Sequence, residues 1–323
     1  MIHGQDKAVA QFLSAWATRR LHHAWLLAGP RGVGKASFAR AAAARVLADA
    51  AGPLTESTRL EVPAGHPTAR LLAAGSHPDF RLLERVEASP GKLARNISVG
   101  QVRGLGKMFG VTPSLSPWRA IVIDSADDLE ASAANALLKM LEEPPANSIF
   151  FLVAHAPGRL LPTIRSRCRR LDFEPLNDDA MASILGGTIG SGDLGGLLEI
   201  AGGSVGRALQ GRELDLAPLE AEARAIMSQG DPDNSRRSKL ASQLSGKAAA
   251  DRYSAFLSMI PAIIAREARL ASEPRRSRAL DAYARARETA ALAPRLTLDP
   301  AATIFELGGV LAAVAGPPAS LKP

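Results

Sequence analysis

The chain has 323 residues, 46 % hydrophobic and 22 % charged, a globular balance on a length that suggests two or three domains. No run approaches the roughly 20 apolar residues that span a bilayer. The single cysteine, Cys168, excludes an internal disulfide framework and a cysteine-cluster zinc site. A formal charge of +7 favours polyanionic neighbours such as nucleic acid. Arg is abundant throughout, however, and aromatic residues are only 4 %, which argues against base stacking on single strands.

In chain order, "MIHGQDKAVAQFL" carries Asp6 and no continuous apolar segment, so it does not read as a signal peptide, and a cytoplasmic protein is expected. "AWLLA" (24–28) reads as a buried strand, followed by a Gly-rich loop and an Ala-rich helix over 35–50. The segment 51–70 has Pro, Gly and Thr with little periodicity and reads as a loop or insertion. Further strands are expected at 79–86, 119–126, 148–155 and 169–173, with helices at 99–110 and 130–145 and a short one within 158–168. Short apolar strands alternating with helices imply an α/β fold with a parallel sheet covered on both faces. Past residue 174 the strand signals stop. Short helices broken by Gly pairs run over 180–211, then helices are expected at 217–229, 236–270, 274–292 and 299–315. The boundaries fall at 1–174 for the α/β domain, 175–212 for a small helical lid and 213–323 for an all-helical domain. The apolar faces of 253–265 and 303–315 are candidates for an assembly surface, or else complete that domain's own core.

The loop after the first strand, "AGPRGVGKASF" (28–38), is one residue short of the phosphate-binding pattern G-x-x-x-x-G-K-[ST]. Gly29, Gly34 and Lys35 are in place, with Gly32 between them. Such a loop surrounds phosphate oxygens with backbone N–H groups at a helix N-terminus, and the lysine adds a point charge. The hydroxyl that should follow, a magnesium ligand, is replaced by Ala36. Ser37 is displaced by one residue, which on a helix turns the side chain by about 100°. The third strand ends in "IVIDSADD": Asp124 stands where a metal-orienting acid belongs, but Ser125 takes the place of a carboxylate base. Both departures remove hydrolysis and neither harms the fold.

The segments "LHHAWLLAGPRGVGKA" (21–36), "HPDFRLLE" (77–84), "NALLKMLEEPP" (135–145) and "RLLPTIRSRCRRL" (159–171) resemble the clamp-loader branch of the AAA+ ATPases. More narrowly they resemble the delta-prime subunits of bacterial DNA polymerase III, over roughly residues 1–210. The resemblance implies that Ser166-Arg167-Cys168 is the family's Ser-Arg-Cys motif, with Arg167 an arginine finger reaching ATP held by an adjacent subunit. A planar, permanently charged guanidinium suits that task. Arg165, Arg169 and Arg170 flank it and are alternatives for part of the role. Cys168 reads as a small buried residue. Active relatives carry a polar sensor after the fourth strand, where this chain has Ala154 and His155, and Gly-Ser-x-Arg on the lid, where Gly206 precedes Arg207. Gly29, Gly32, Gly34, Lys35 and Asp124 thus form a degenerate nucleotide site, one that would take ATP or ADP without hydrolysis. The cysteine cluster that holds zinc in many relatives is missing. The implied function is a non-hydrolysing subunit helping to load a sliding clamp on primed DNA. Its implied partners are gamma/tau-like ATPases and a delta-like subunit, with indirect contact to primed DNA and none to membrane. The alternatives are an ATP-hydrolysing motor subunit and another AAA+ nucleic-acid remodeller.

Overall fold

The computed structural model describes residues 2–52, 59–89, 92–189, 198 and 201–316, and the chain divides into two compact units, Met1–Ala180 and Met181–Pro323. The first begins with a helix the sequence reading did not anticipate, α1 (Asp6–Ala17). Then come β1 (Ala24–Ala28), α2 (Lys35–Ala51), α3 (Pro67–Ala73), β2 (Phe80–Glu84), β3 (Glu87–Ser89), β4 (Lys92–Leu93) and α4 (Val99–Phe109). The unit continues with β5 (Arg119–Asp124), α5 (Ala131–Glu142), β6 (Ser148–Ala154), α6 (Pro162–Arg165) and β7 (Arg169–Asp172).

Five of these strands pair in parallel in the order β2-β5-β6-β1-β7. Every residue of β1 and β6 is buried, as a parallel sheet covered on both faces requires. Because side chains alternate along a strand, Trp25 and Leu27 join one core with Phe12 of α1 and Phe38, Ala42 and Val46 of α2. Ala24 and Leu26 join the other, with Val102 and Leu105 of α4, Leu137 and Leu141 of α5 and Ile164 of α6. The α/β reading of the sequence is borne out. One local reading is corrected and one element pair is added. The 51–70 segment is not all loop, because Pro67 at the first helical position and His66, whose side chain accepts from the Thr68 N–H, start α3; within it, residues 53–58 lie outside the described residues. The small antiparallel pair β3–β4, Glu87 opposite Leu93, is too short to leave a periodic signal.

In register, Ala28 pairs with Ala154 and Asp172, and Asp124 with Val153 and Glu84. Strands β1, β5 and β6 therefore end together, and the segments that follow them meet at the carboxyl edge of the sheet, the usual place for a ligand crevice in such folds.

The second unit is helical: α7 (Asp178–Ile189) leads into it, followed by α8 (Val205–Glu213), α9 (Ala217–Gln229), α10 (Ser235–Leu244), α11 (Ala250–Leu270), α12 (Arg275–Leu296) and α13 (Pro300–Ala315). The expected short helices over 180–211 fall partly at 190–197 and 199–200, outside the described residues. The single helix expected over 236–270 is two. Ser245 and Gly246 are poor helix formers, and a 3₁₀ turn at Lys247–Ala249 redirects the chain, so that α10 packs on α13 and α11 on α12. The apolar faces of 253–265 and 303–315 are spent inside this unit. Phe256, Ile260, Ile263 and Ile264 of α11 and Ile304, Leu307, Val310 and Leu311 of α13 are all buried in one core. Of the two readings of these faces, the structure supports completion of the domain's own core: within the unit itself, α13 packs its apolar face against α9, α10 and α12.

Candidate functional site

The loop after β1 keeps its phosphate-cradle shape. Gly32 and Gly34 have φ of 79° and 96°, in the left-handed region that favours glycine, and Gly34 is the N-cap of α2. Gly29, with φ 155°, meets a further demand: a Cβ there would lie 2.2 Å from the carbonyl oxygen of Phe173, just past β7. Gln5 braces the same junction, its Nε2 donating to the carbonyls of Val33 at 3.2 Å and Glu174 at 2.9 Å. Lys35 is 2 % exposed, and its Nζ donates back to the loop carbonyls of Gly29, at 2.6 Å, and Pro30. Burial, reinforced by the charge of Arg31, lowers its pKa to about 8 against the opposing pull of Asp127 and Asp124.

The acidic side of the crevice is built for structure. Burial raises the pKa of Asp124, while the nearby charges of Arg40, Arg31 and Lys35 oppose that rise. Ser125 is 2 % exposed and its Oγ donates to Asp128 Oδ2 at 3.2 Å. Asp127 accepts the backbone N–H groups of His155 at 2.6 Å and Ala156 at 2.9 Å, tying the segment after β5 to the end of β6. His155 Nδ1 is buried without a hydrogen-bond partner; burial, with the charges of Lys35 and Arg31, pushes the imidazole down to about 4. At neutral pH it is therefore an uncharged ring beside the loop. The Ala36 methyl packs on the apolar core beneath α2. The donor set for a divalent cation is thus reduced to Asp124, because an alanine stands where the hydroxyl ligand belongs, and the hydrogen-bonded Ser125 stands where a carboxylate base would activate water. These residues do not fit a magnesium ion. The glycine turns and the lysine still fit a phosphate group.

Arg167 lies just past α6, with a side chain 35 % exposed. Its Nη2 is 2.8 Å from Glu142 Oε1, at the end of α5, and its Nη1 donates to the Thr163 carbonyl at 3.0 Å. Arg165, the last residue of α6, is exposed, while the two arginines that follow Cys168 have contacts of their own. Arg169 lies over the Trp25 ring at 5.0 Å, and Arg170 pairs with Asp172 at 2.7 Å. Cys168 packs at the edge of the second core, and burial pushes its thiol up to about 12, so it stays protonated and unreactive. In the second unit, Arg207 folds onto the Gly202 carbonyl at 3.1 Å, next to Ser204, which caps α8.

Three residues with roles here were not singled out from the sequence. Glu142 sits inside the quoted "NALLKMLEEPP" segment, whose Pro-Pro helix stop was the available signal. Asp127 lies inside the quoted "IVIDSADD" segment, past the end of the strand. Gln5 carried no signal at all. The quoted "HPDF" segment turns out to be structural: Asp79, 3 % exposed, accepts the N–H groups of Ser114 at 2.8 Å, Leu115 at 2.8 Å and Ser116 at 3.0 Å.

Comparison with known proteins follows the same outline. Over 149 residues the chain is 41 % identical to DNA polymerase III subunit delta' of Pseudomonas aeruginosa, covering 45 % of this chain and 41 % of that protein. It is 36 % identical over 164 residues to subunit delta' of Bacillus subtilis, covering 50 % and 45 %. It is 30 % identical over 178 residues to subunit tau of the same organism, covering 55 % and 29 %. The matches thus span less than half the length of each of these relatives. A family model described as DNA polymerase III, delta subunit, matches residues 4–177, more than half of this chain and nearly all of its first unit, and the chain belongs to that family.

Proposed function

We propose that this chain is a non-hydrolysing, delta-prime-type subunit of a DNA polymerase III clamp loader, acting in the cytoplasm. In this reading it assembles with gamma/tau-type ATPases and a delta-type subunit. It then presents Arg167 to ATP held by a neighbouring ATPase while the sliding clamp is placed on primed DNA. One contrast supports the reading above all. Two of the positions that an ATPase needs hold Ala36 and the buried Ser125, whereas Arg167 is carried on the turn after α6 with a side chain 35 % exposed. An arginine acting in trans needs a rigid base and an exposed head, and nothing from its own nucleotide site. In this proposal residues 1–174 form the nucleotide-site domain, 175–212 a lid and 213–323 the assembly domain. Since the faces of α11 and α13 are buried within their own unit, assembly would use side chains left outside that core, such as Leu280 and Leu296, 55 % and 63 % exposed. The deciding experiment purifies the chain alone and with a gamma/tau-type ATPase and a delta-type subunit. The expected result is no turnover alone, a stable complex, and ATPase in the complex that depends on Arg167. DNA-stimulated turnover by the isolated chain that vanishes in Lys35→Ala would overturn the reading.

A further inference from the structure

We propose that Glu142 is the positioning residue for Arg167, holding one edge of the guanidinium so that the other faces outward, ready for a phosphate. This rests on the trans role of Arg167 given above. The two residues are 25 positions apart, yet both stand on anchored ground. Leu137 and Leu141 bury α5 against the sheet, and Ile164 buries α6 in the same core. Glu142 is the last residue of α5, and Pro144 and Pro145 prevent the helix from continuing past it. The carboxylate is therefore delivered to a defined point, 2.8 Å from Arg167 Nη2.

A guanidinium has five N–H donors in a planar fork. Here Nη2 meets Glu142 and Nη1 meets the Thr163 carbonyl, with Ser166 Oγ a longer 3.4 Å away. These contacts leave further donors on a side chain that is 35 % exposed. Arg has among the largest rotamer freedoms to lose on binding, and the carboxylate takes that loss in advance. An ion pair this exposed contributes little to folding. Its value is in direction, because trans stabilisation of a developing charge depends on where the fork points. Glu142 would itself touch neither nucleotide nor reacting atoms.

The test uses the reconstituted complex with gamma/tau-type and delta-type partners, assembly being checked by size-exclusion chromatography. The quantity read is the ATPase increment that Arg167 supplies, wild type minus Arg167→Ala. Glu142→Gln, similar in shape and uncharged, is expected to cut that increment roughly two- to fivefold, in kcat with KM for ATP unchanged, as the range for exposed pairs implies. Glu142→Asp, which keeps the charge, should recover part of it. The double variant Glu142→Gln/Arg167→Ala should be no slower than Arg167→Ala, since the two act as one unit. If Arg167→Ala leaves turnover unchanged in an assembled complex, the trans role itself fails. If Arg167→Ala lowers turnover but Glu142→Gln matches or exceeds wild type, the trans role stands and the positioning role is overturned. Loss of assembly in Glu142→Gln, with assembly kept in Arg167→Ala, overturns it equally, by making Glu142 a structural residue.

Discussion

Arg167 and Glu142 meet at 2.8 Å across the junction of two segments that, in the sequence, are separate motifs. The pair joins the end of α5 to the turn after α6, so the helix that closes with Pro-Pro and the Ser-Arg-Cys triplet are halves of one surface feature. The pairing also bears on how variants of Arg167 should behave.

Arg167→Ala should leave the fold intact. Both partners are substantially exposed, at 35 % and 47 %, and pairs of this kind are worth about 0–1 kcal/mol. A thermal melt within a degree or two of wild type, together with reduced ATPase in the assembled complex, is the expected combination. Arginine fingers supply roughly 10³–10⁵ in rate at the site they serve; with one of several sites affected, total ATPase should fall only in part. Arg167→Lys should recover little, because an ammonium lacks the planar fork. A mutant that misfolds would assign Arg167 to structure instead.

Restoring the active-site pattern should not restore turnover. Ala36→Ser adds one hydroxyl at a half-buried position against the core and should cost about 0.5–1 kcal/mol. Ser125→Glu is a different matter: it would place a carboxylate at a site 2 % exposed, between Asp124 and Asp128. Leaving a charge buried and uncompensated costs about 3–5 kcal/mol. Denaturant titration of both single variants and the double should find the loss in every protein that carries Ser125→Glu, with no ATP hydrolysis in any. Turnover in the double variant would contradict this account of the site.

The pH dependence should carry a mark of His155. Its folded pKa of about 4 lies below the ordinary 6.5, so between those values the folded chain binds fewer protons than the unfolded one. The contribution of the neutral ring is complete above pH 6.5 and is lost as the pH falls toward 4. Between pH 7 and 4.5 the wild type should lose about 1–2 kcal/mol more than His155→Asn, allowing for solvent screening at a site that is only partly buried. Parallel urea titrations at the two pH values give the comparison; equal losses in both proteins would show that the ring is not held neutral.

The glycines of the loop should separate by mechanism. Gly29→Ala would press a methyl group to 2.2 Å from the Phe173 carbonyl oxygen, a backbone atom that cannot swing away. A loss of about 1–3 kcal/mol is expected from the forced shift. Gly34→Ala meets nothing within 4 Å, and its cost comes from φ 96° alone, about 1 kcal/mol. Equilibrium unfolding of the two variants measures the difference, and a larger loss in Gly34→Ala would reverse the argument.

The core of the first unit was legible because its signals are local. A parallel strand buried on both faces must be a short continuous apolar run, and "AWLLA" became β1 with the same bounds. The loop from Gly29 to Lys35 could be recognised because its glycines and lysine lie within one turn of chain, and the substitutions at Ala36 and Ser125 could be read beside them. Helix 217–229 likewise has the bounds read from the sequence, with Pro218 in its first turn and Gly230 just past its end. What only the tertiary structure decided are relationships between distant segments. Nothing near Gln5 announces that it will bridge Val33 and Glu174, and nothing near Asp127 that its carboxylate will hold the end of β6. An amphipathic pattern states that a face must be covered but not by what, so for the faces of α11 and α13 a partner and the domain's own core both stayed open until the packing of the helices turned them inward. The same limit applies to Arg167. Its charge and exposure follow from residue type and turn, but its hold on Glu142 exists only because the sheet brings α5 and α6 into one core.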